Sequence, residues 1–142
     1  MDEGGIPANP GGRVDTCRKI LAESEKNGIP GEHLYFDPLV LPLSTGDRQG
    51  RITLDTLALM KEDLKGTNTV MGLSNVSFGL PQRSLINSAF LIMAIGAGLD
   101  AVILDPTNHK LVSRLRAAEV VAGNDRRCRR YLKAHTDGKL SD

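Results

Sequence analysis

Three short apolar runs, separated by stretches of helical period, constrain this chain more than any other feature. They are His33–Leu41, Val70–Leu73 and Asp100–Leu104. None is followed directly by a hairpin partner. Between and around them, apolar residues recur at helical spacing. Val14, Cys17, Ile20 and Leu21 share one face of a helix expected over Arg13–Lys26, with Asn27-Gly28 as its stop. Met1–Gly12, rich in Gly, Pro and Asn, fits no helix or strand pattern. Thr53 is placed as N-cap of a second helix carrying Leu54, Leu57, Ala58 and Leu64 and closed by Gly66. A third helix is expected over Gln82–Ala97. A fourth carries Leu111, Leu115, Ala118 and Ala122 up to Gly123, and Asn124 is placed as cap of a last helix through Tyr131 and Leu132. The order α-β-α-β-α-β-α-α implies parallel strands joined by right-handed crossovers, an α/β fold.

The chain has 142 residues, 40% of them hydrophobic, which suits one core and one domain. Eighteen basic residues face 17 acidic ones, so no net charge points to nucleic acid or to a membrane surface. The one basic cluster (Arg126, Arg127, Arg129, Arg130 and Lys133) reads as the solvated face of a terminal helix. Cys17 and Cys128 form no C-x-x-C pattern and are read as reduced thiols of a cytoplasmic protein. His33, His109 and His135 lack metal-ligand spacing, so no protein-bound metal is expected. The longest apolar stretch, Ala89–Ile95, is too short to span a membrane.

The candidate functional stretch is Thr69–Pro81, T-V-M-G-L-S-N-V-S-F-G-L-P. Val70, Met71 and Leu73 suit a strand buried on both faces. Gly72 interrupts it, as where a ligand or backbone comes close. Ser74 and Asn75 follow at its C-terminal end, where α/β barrels keep their chemistry; alternatively, Asn75 is a turn residue. Asp37-Pro38 ends or bulges the first strand, since proline cannot donate to a ladder. Asp105-Pro106 ends the third. The helix over Gln82–Ala97 is apolar nearly all round through Leu85, Ile86, Ala89, Phe90, Leu91, Ile92, Met93 and Ile95, which suggests a subunit interface besides a core face.

The run G-L-S-N-V-S-F-G-L-P-Q-R-S-L-I-N, from Gly72 to Asn87, resembles the pterin-binding methyltransferases: the methyltetrahydrofolate:corrinoid methyltransferases and the folate domain of cobalamin-dependent methionine synthase. M-D-E-G-G-I-P at Met1–Pro7 resembles their loop after the fourth barrel strand, and Y-L-K-A-H-T-D-G-K-L resembles their C-terminus. The resemblance implies that residues 1–142 are one pterin-binding domain, the C-terminal half of a (β/α)8 TIM barrel of dihydropteroate synthase type, without its first four strands. A complete barrel of this kind takes roughly 250 residues. It further implies methyl transfer from N5 of methyltetrahydrofolate to the cobalt(I) of a corrinoid (cobalamin) carried by a partner protein or domain. Asn75 would reach N5, and Asp37, whose other reading is a helix or turn cap beside a proline, would bind the aminopyrimidine edge, where two carboxylate oxygens can face two N–H donors. Gly72 and Ser74 would line the cleft and Ile103 would pack on the ring. Arg83 would meet the glutamate tail or a partner's acidic surface, or would simply be exposed at a helix start. Asp105 is a more remote candidate, with turn chemistry as its other reading. Further pterin ligands of the family come from strands this chain lacks, which implies weak binding and little turnover. Two alternatives stand beside this reading: a non-catalytic half barrel that oligomerises, and a dihydropteroate synthase relative. The S-R-L-R at Ser113–Arg116 departs from the phosphate-binding pattern expected of the latter.

Overall fold

The computed structural model describes residues 5–141; Met1–Gly4 of the M-D-E-G-G-I-P segment lie outside them. Helices and strands alternate as α1 (Pro10–Lys26), β1 (Tyr35–Phe36), α2 (Gln49–Asp63), β2 (Asn68–Gly72), α3 (Arg83–Gly96), β3 (Ala101–Ile103), α4 (His109–Val121) and α5 (Arg129–Thr136). The strands form one parallel sheet in the order β1-β2-β3. Tyr35 lies opposite Asn68 and Phe36 opposite Thr69; Val70, Met71 and Gly72 face Ala101, Val102 and Ile103. All three strands therefore end at the same edge of the sheet, and the architecture is that of a partial α/β barrel.

Several elements differ from their sequence expectation for identifiable reasons. α1 begins at Pro10 and not Arg13, because Asn9 caps it: its side chain accepts from the Gly12 amide at 2.8 Å. A proline at the first helical position lacks only a donor that would have gone unused. β1 is two residues long, since Pro38 has no N–H and Leu39 adopts a left-handed backbone at φ +62°. Thr53 does not cap α2. It lies inside that helix, buried, and its hydroxyl donates to the Gln49 carbonyl at 3.1 Å. At α5 the carboxylate of Asp125, and not Asn124, accepts from the amides of Arg130 (3.1 Å) and Tyr131 (2.9 Å).

β2 is buried on one face only, where both were expected. Thr69 and Met71 turn toward the helices, while Asn68, Val70 and Gly72 are half-buried on the other side. Met71 joins Leu54, Leu57, Leu91 and Ala94 in the main core. A smaller cluster of Val14, Cys17, Phe36, Met60 and Leu64 fastens α1 to β1 and α2. Each such large aliphatic side chain contributes roughly 1.5–3 kcal/mol on burial. The opposite face carries Tyr35 (58% exposed) and Ile103 (67% exposed), and no layer of the described residues covers it. α3 likewise buries one side through Phe90, Leu91, Ala94 and Ile95 and leaves Leu85, Ile92 and Met93 in solvent.

At the N-terminal end of the sheet Asp100 ties three elements. One carboxylate oxygen accepts from the Thr69 amide (2.8 Å) and hydroxyl (2.9 Å), and Lys61 Nζ reaches both oxygens at 2.8 and 3.0 Å. Desolvation pushes this carboxyl's pKa up, but the hydrogen bonds from Lys61 and Thr69 outweigh it and hold the group below its ordinary value. A depressed folded-state pKa means stabilisation present above the unfolded value, about 3.9, and lost as pH falls through the folded one. Asp100→Ala is expected to cost about 1–2 kcal/mol at neutral pH by urea titration. The gap from the unmodified chain should narrow as the same titrations move to acid.

Candidate functional site

Each strand delivers a polar group to the C-terminal edge. Asp37 directly follows β1, Ser74 and Asn75 sit in a 3-10 turn (Leu73–Ser77) directly after β2, and Asp105 lies two residues beyond β3. Parallel pairing thus brings to one edge residues that are far apart in sequence.

The loops after β1 and β2 are stitched together in both directions. Asn75 Nδ2 donates to the Val40 carbonyl at 2.5 Å, and Ser44 Oγ donates to the Phe78 carbonyl at 2.7 Å. The first bond fixes which way the Asn75 amide points and uses one of its two N–H groups. Asn75 is exposed, and its second N–H and its oxygen have no partner among the described residues. Asp37 Oδ1 accepts from the Leu39 amide at 2.8 Å, while Oδ2 accepts nothing from the described residues. The edge therefore presents an oriented amide and a carboxylate oxygen with no partner among the described residues, on two loops joined by hydrogen bonds.

Below these groups the sheet is open. Gly72 has an ordinary φ of −77°, so its backbone does not require glycine, and a Cβ there would meet no atom within 4 Å. Neither turn geometry nor packing within the described residues explains the glycine, which leaves room for approach by another molecule. Its register partner Ile103 offers a bare apolar side chain beside it.

Arg83 turns inward to the Asn75 loop. Its Nε donates to Ser77 Oγ at 3.0 Å and an Nη to the Ser74 carbonyl at 2.7 Å, which braces the 3-10 turn. Ser74 is exposed at the rim. Asp105 closes a turn on Thr107, whose hydroxyl (2.7 Å) and amide (2.9 Å) donate to Oδ1 and hold the carboxyl below its usual pKa. No hydrogen bond joins it to the other candidates among the described residues. Nor does any group of three or more His, Cys, Asp or Glu among them come close enough to hold a metal ion.

Sequence reasoning missed Arg13 and Thr53, which hold the Asp37 loop from beneath. Arg13 gives donors to the Pro38 and Leu39 carbonyls at 2.8 Å each, and Thr53 Oγ1 reaches the Leu39 carbonyl at 3.3 Å. One signal was available: Arg13 lies on the same helical stripe as Cys17 and Leu21, where a charge is out of place. From the open space at Gly72, Gly72→Ala is expected to leave folding stability within about 0.5 kcal/mol of the unmodified chain, as measured by urea titration.

Residues 12–105 match the family described as pterin binding enzyme. A methylcorrinoid:tetrahydrofolate methyltransferase of Eubacterium limosum is 32% identical over 139 residues, which cover 98% of this chain and 51% of that protein. A methionine synthase of Mycobacterium leprae (strain TN) is 28% identical over 122 residues, 81% of this chain and 10% of that protein. That of Mycobacterium tuberculosis (strain ATCC 25618 / H37Rv) is 30% identical over 111 residues, 73% and 9% respectively. The chain spans about half the length of the first relative and a much smaller share of the two synthases. Every candidate residue of the C-terminal edge, from Asp37 to Asp105, falls inside the matched segment, and the chain belongs to the pterin binding enzyme family.

Proposed function

We propose that this chain binds a reduced pterin of the methyltetrahydrofolate type at the C-terminal edge of its sheet. It serves methyl transfer between N5 of that pterin and the cobalt of a corrinoid carried by another protein or domain. The observation that carries the reading is an amide N–H of Asn75 and a carboxylate oxygen of Asp37 that have no partner among the described residues, held on linked loops beside the open sheet face at Gly72 and Ile103.

The chemistry suits these groups. As the methyl–N5 bond breaks, its electron pair stays on nitrogen, and a tertiary amine is a poor leaving group unless a proton or a strong hydrogen bond reaches it. General-acid help of this kind is worth roughly 10²–10⁴ in rate. An amide is not itself an acid. The unused N–H of Asn75 can donate a hydrogen bond that strengthens as charge develops on N5, with water or a carboxylate completing the relay. Asp37 accepts from the aminopyrimidine edge and sets the ring's orientation, Gly72 lets the ring approach the backbone, and Ile103 packs against it. Arg83 retains an Nη for the glutamate tail while bracing the turn, Ser74 lines the rim, and Asp105 is a remote contributor through its free oxygen. The name of the Eubacterium limosum relative runs the transfer from corrinoid to tetrahydrofolate. Both directions pass through one transition state, so the same residues serve either.

The exposed side of α3 favours a second, compatible reading, in which two copies of this chain associate through that helix. Leu85, Ile92 and Met93 stand in solvent beside a groove of about 280 Å³ lined by Leu43, Leu54, Val76 and Phe90. Sedimentation of the unmodified chain as a dimer and of Met93→Glu as a monomer is the expected result.

Calorimetric titration with methyltetrahydrofolate tests the main reading. Saturable binding is expected, weakened by about tenfold or more in Asn75→Ala and in Asp37→Ala, since each removes a hydrogen bond to a buried ligand edge. Gly72→Ala should bind as poorly while keeping its stability, because the added methyl group occupies the ligand's space. A folded chain that shows no saturation, or variants that bind as well as the unmodified chain, would overturn the reading for this polypeptide.

A further inference from the structure

α1 carries a charge where its buried stripe calls for an apolar residue. Arg13 is 3% exposed, and among the described residues all its hydrogen-bond acceptors are backbone carbonyls. Nε donates to Pro7 at 3.1 Å, and one Nη donates to both Pro38 and Leu39 at 2.8 Å. Burial pulls the guanidinium's pKa below its ordinary value, yet arginine keeps its proton in proteins. An apolar side chain of similar volume would avoid that desolvation cost but would leave the Pro7, Pro38 and Leu39 carbonyls without the donors they have here. Packing alone therefore does not account for the residue.

The two carbonyls on the shared Nη belong to one strained loop. Leu39 holds φ +62°, a region sparsely populated by residues with a Cβ, and such backbone persists only where its surroundings over-determine it. Here they do. The Leu39 amide goes to Asp37 Oδ1, the Pro38 and Leu39 carbonyls to Arg13, the Leu39 carbonyl also to Thr53, and the Val40 carbonyl to Asn75. Three consecutive carbonyls thus receive side-chain donors from α1, α2 and the turn after β2. The loop's two ends bear on the two groups offered to a ligand: Asp37 at its start, and Asn75 through Val40 at its finish.

We propose that Arg13 is a positioning residue for the pterin site, one that never touches the ligand but sets the Asp37 carboxylate and the Asn75 amide together through the Pro38–Val40 backbone. This rests on the pterin-binding reading for its ligand, though the structural coupling stands apart from it. Thr53 contributes one weaker contact to the same loop. Arg13 supplies the donors that hold both carbonyls in place.

The test is a double-mutant cycle on methyltetrahydrofolate binding with a parallel structural readout. Arg13→Met keeps the bulk of the side chain and removes its donors. Stability is expected to fall, because the loop carbonyls lose their donors, while the affinity of the folded protein falls about tenfold. In an Asp37→Ala background the same change should cost clearly less, because one of the two groups it positions is gone. Unchanged affinity in Arg13→Met, or losses that simply add in the double variant, would overturn the proposal. Arg13→Gln, which is too short to reach the loop, carries the same expectations should the methionine variant not fold. If the unmodified chain does not bind the pterin, the function reading fails and the coupling is read from NMR alone. The Leu39 amide and the Asn75 side-chain amide should then shift between the unmodified chain and Arg13→Met, and unmoved resonances would overturn the proposal.

Discussion

The pairing of β2 with a parallel neighbour on each side is the constraint from which the rest follows. Five residues of β2 meet β1 near their start and β3 near their end, so the sheet holds together only through this strand. Parallel direction forces each return of the chain to cross over by a helix, and α2 and α3 supply both the crossovers and the layer that buries Met71. It also separates two kinds of work. The N-terminal edge is closed by the Asp100–Lys61–Thr69 network, whose groups satisfy one another. The C-terminal edge keeps donors and acceptors unspent among the described residues.

That edge is precise because its loops are not independent. The bonds from Asn75 to Val40 and from Ser44 to Phe78 join the loop after β1 to the loop after β2, and Arg83 braces the second from within. Loops of a barrel are ordinarily the parts free to vary. Here side chains from α1, α2 and α3 reach up to them, so the helical layer holds the groups at this edge in place.

Much of this was legible in the sequence. Alternating apolar runs and helical stretches gave the parallel order, and Asp37, Ser74, Asn75 and Asp105 all proved to stand at strand ends because local turn signals (Pro38, Pro106, the glycines) mark those ends. What escaped was tertiary. The brevity of β1 depends on Leu39 being held in a left-handed conformation by partners on other elements. The place of Thr53 inside α2 depends on a helix start at Gln49 that has no side-chain cap to announce it. One-sided burial of β2 cannot be told from two-sided burial by counting apolar residues, since Val70 and Met71 are equally apolar and only the layer above them differs. Which of Arg13's possible partners it takes is a matter of a contact 25 and 26 residues along the chain.

The bond between Asn75 and Val40 has a consequence for what this position can be. A carbonyl oxygen accepts and does not donate, so whatever side chain stands here must turn a hydrogen toward it. Aspartate, with nearly the same shape, would set an ionised oxygen against the carbonyl, and the two partial negative charges would push the loops apart. The backbone of the neighbouring loop therefore discriminates between an amide and an acid at Asn75 by itself. Whatever the residue offers outward, its own fold already asks for a donor at this place.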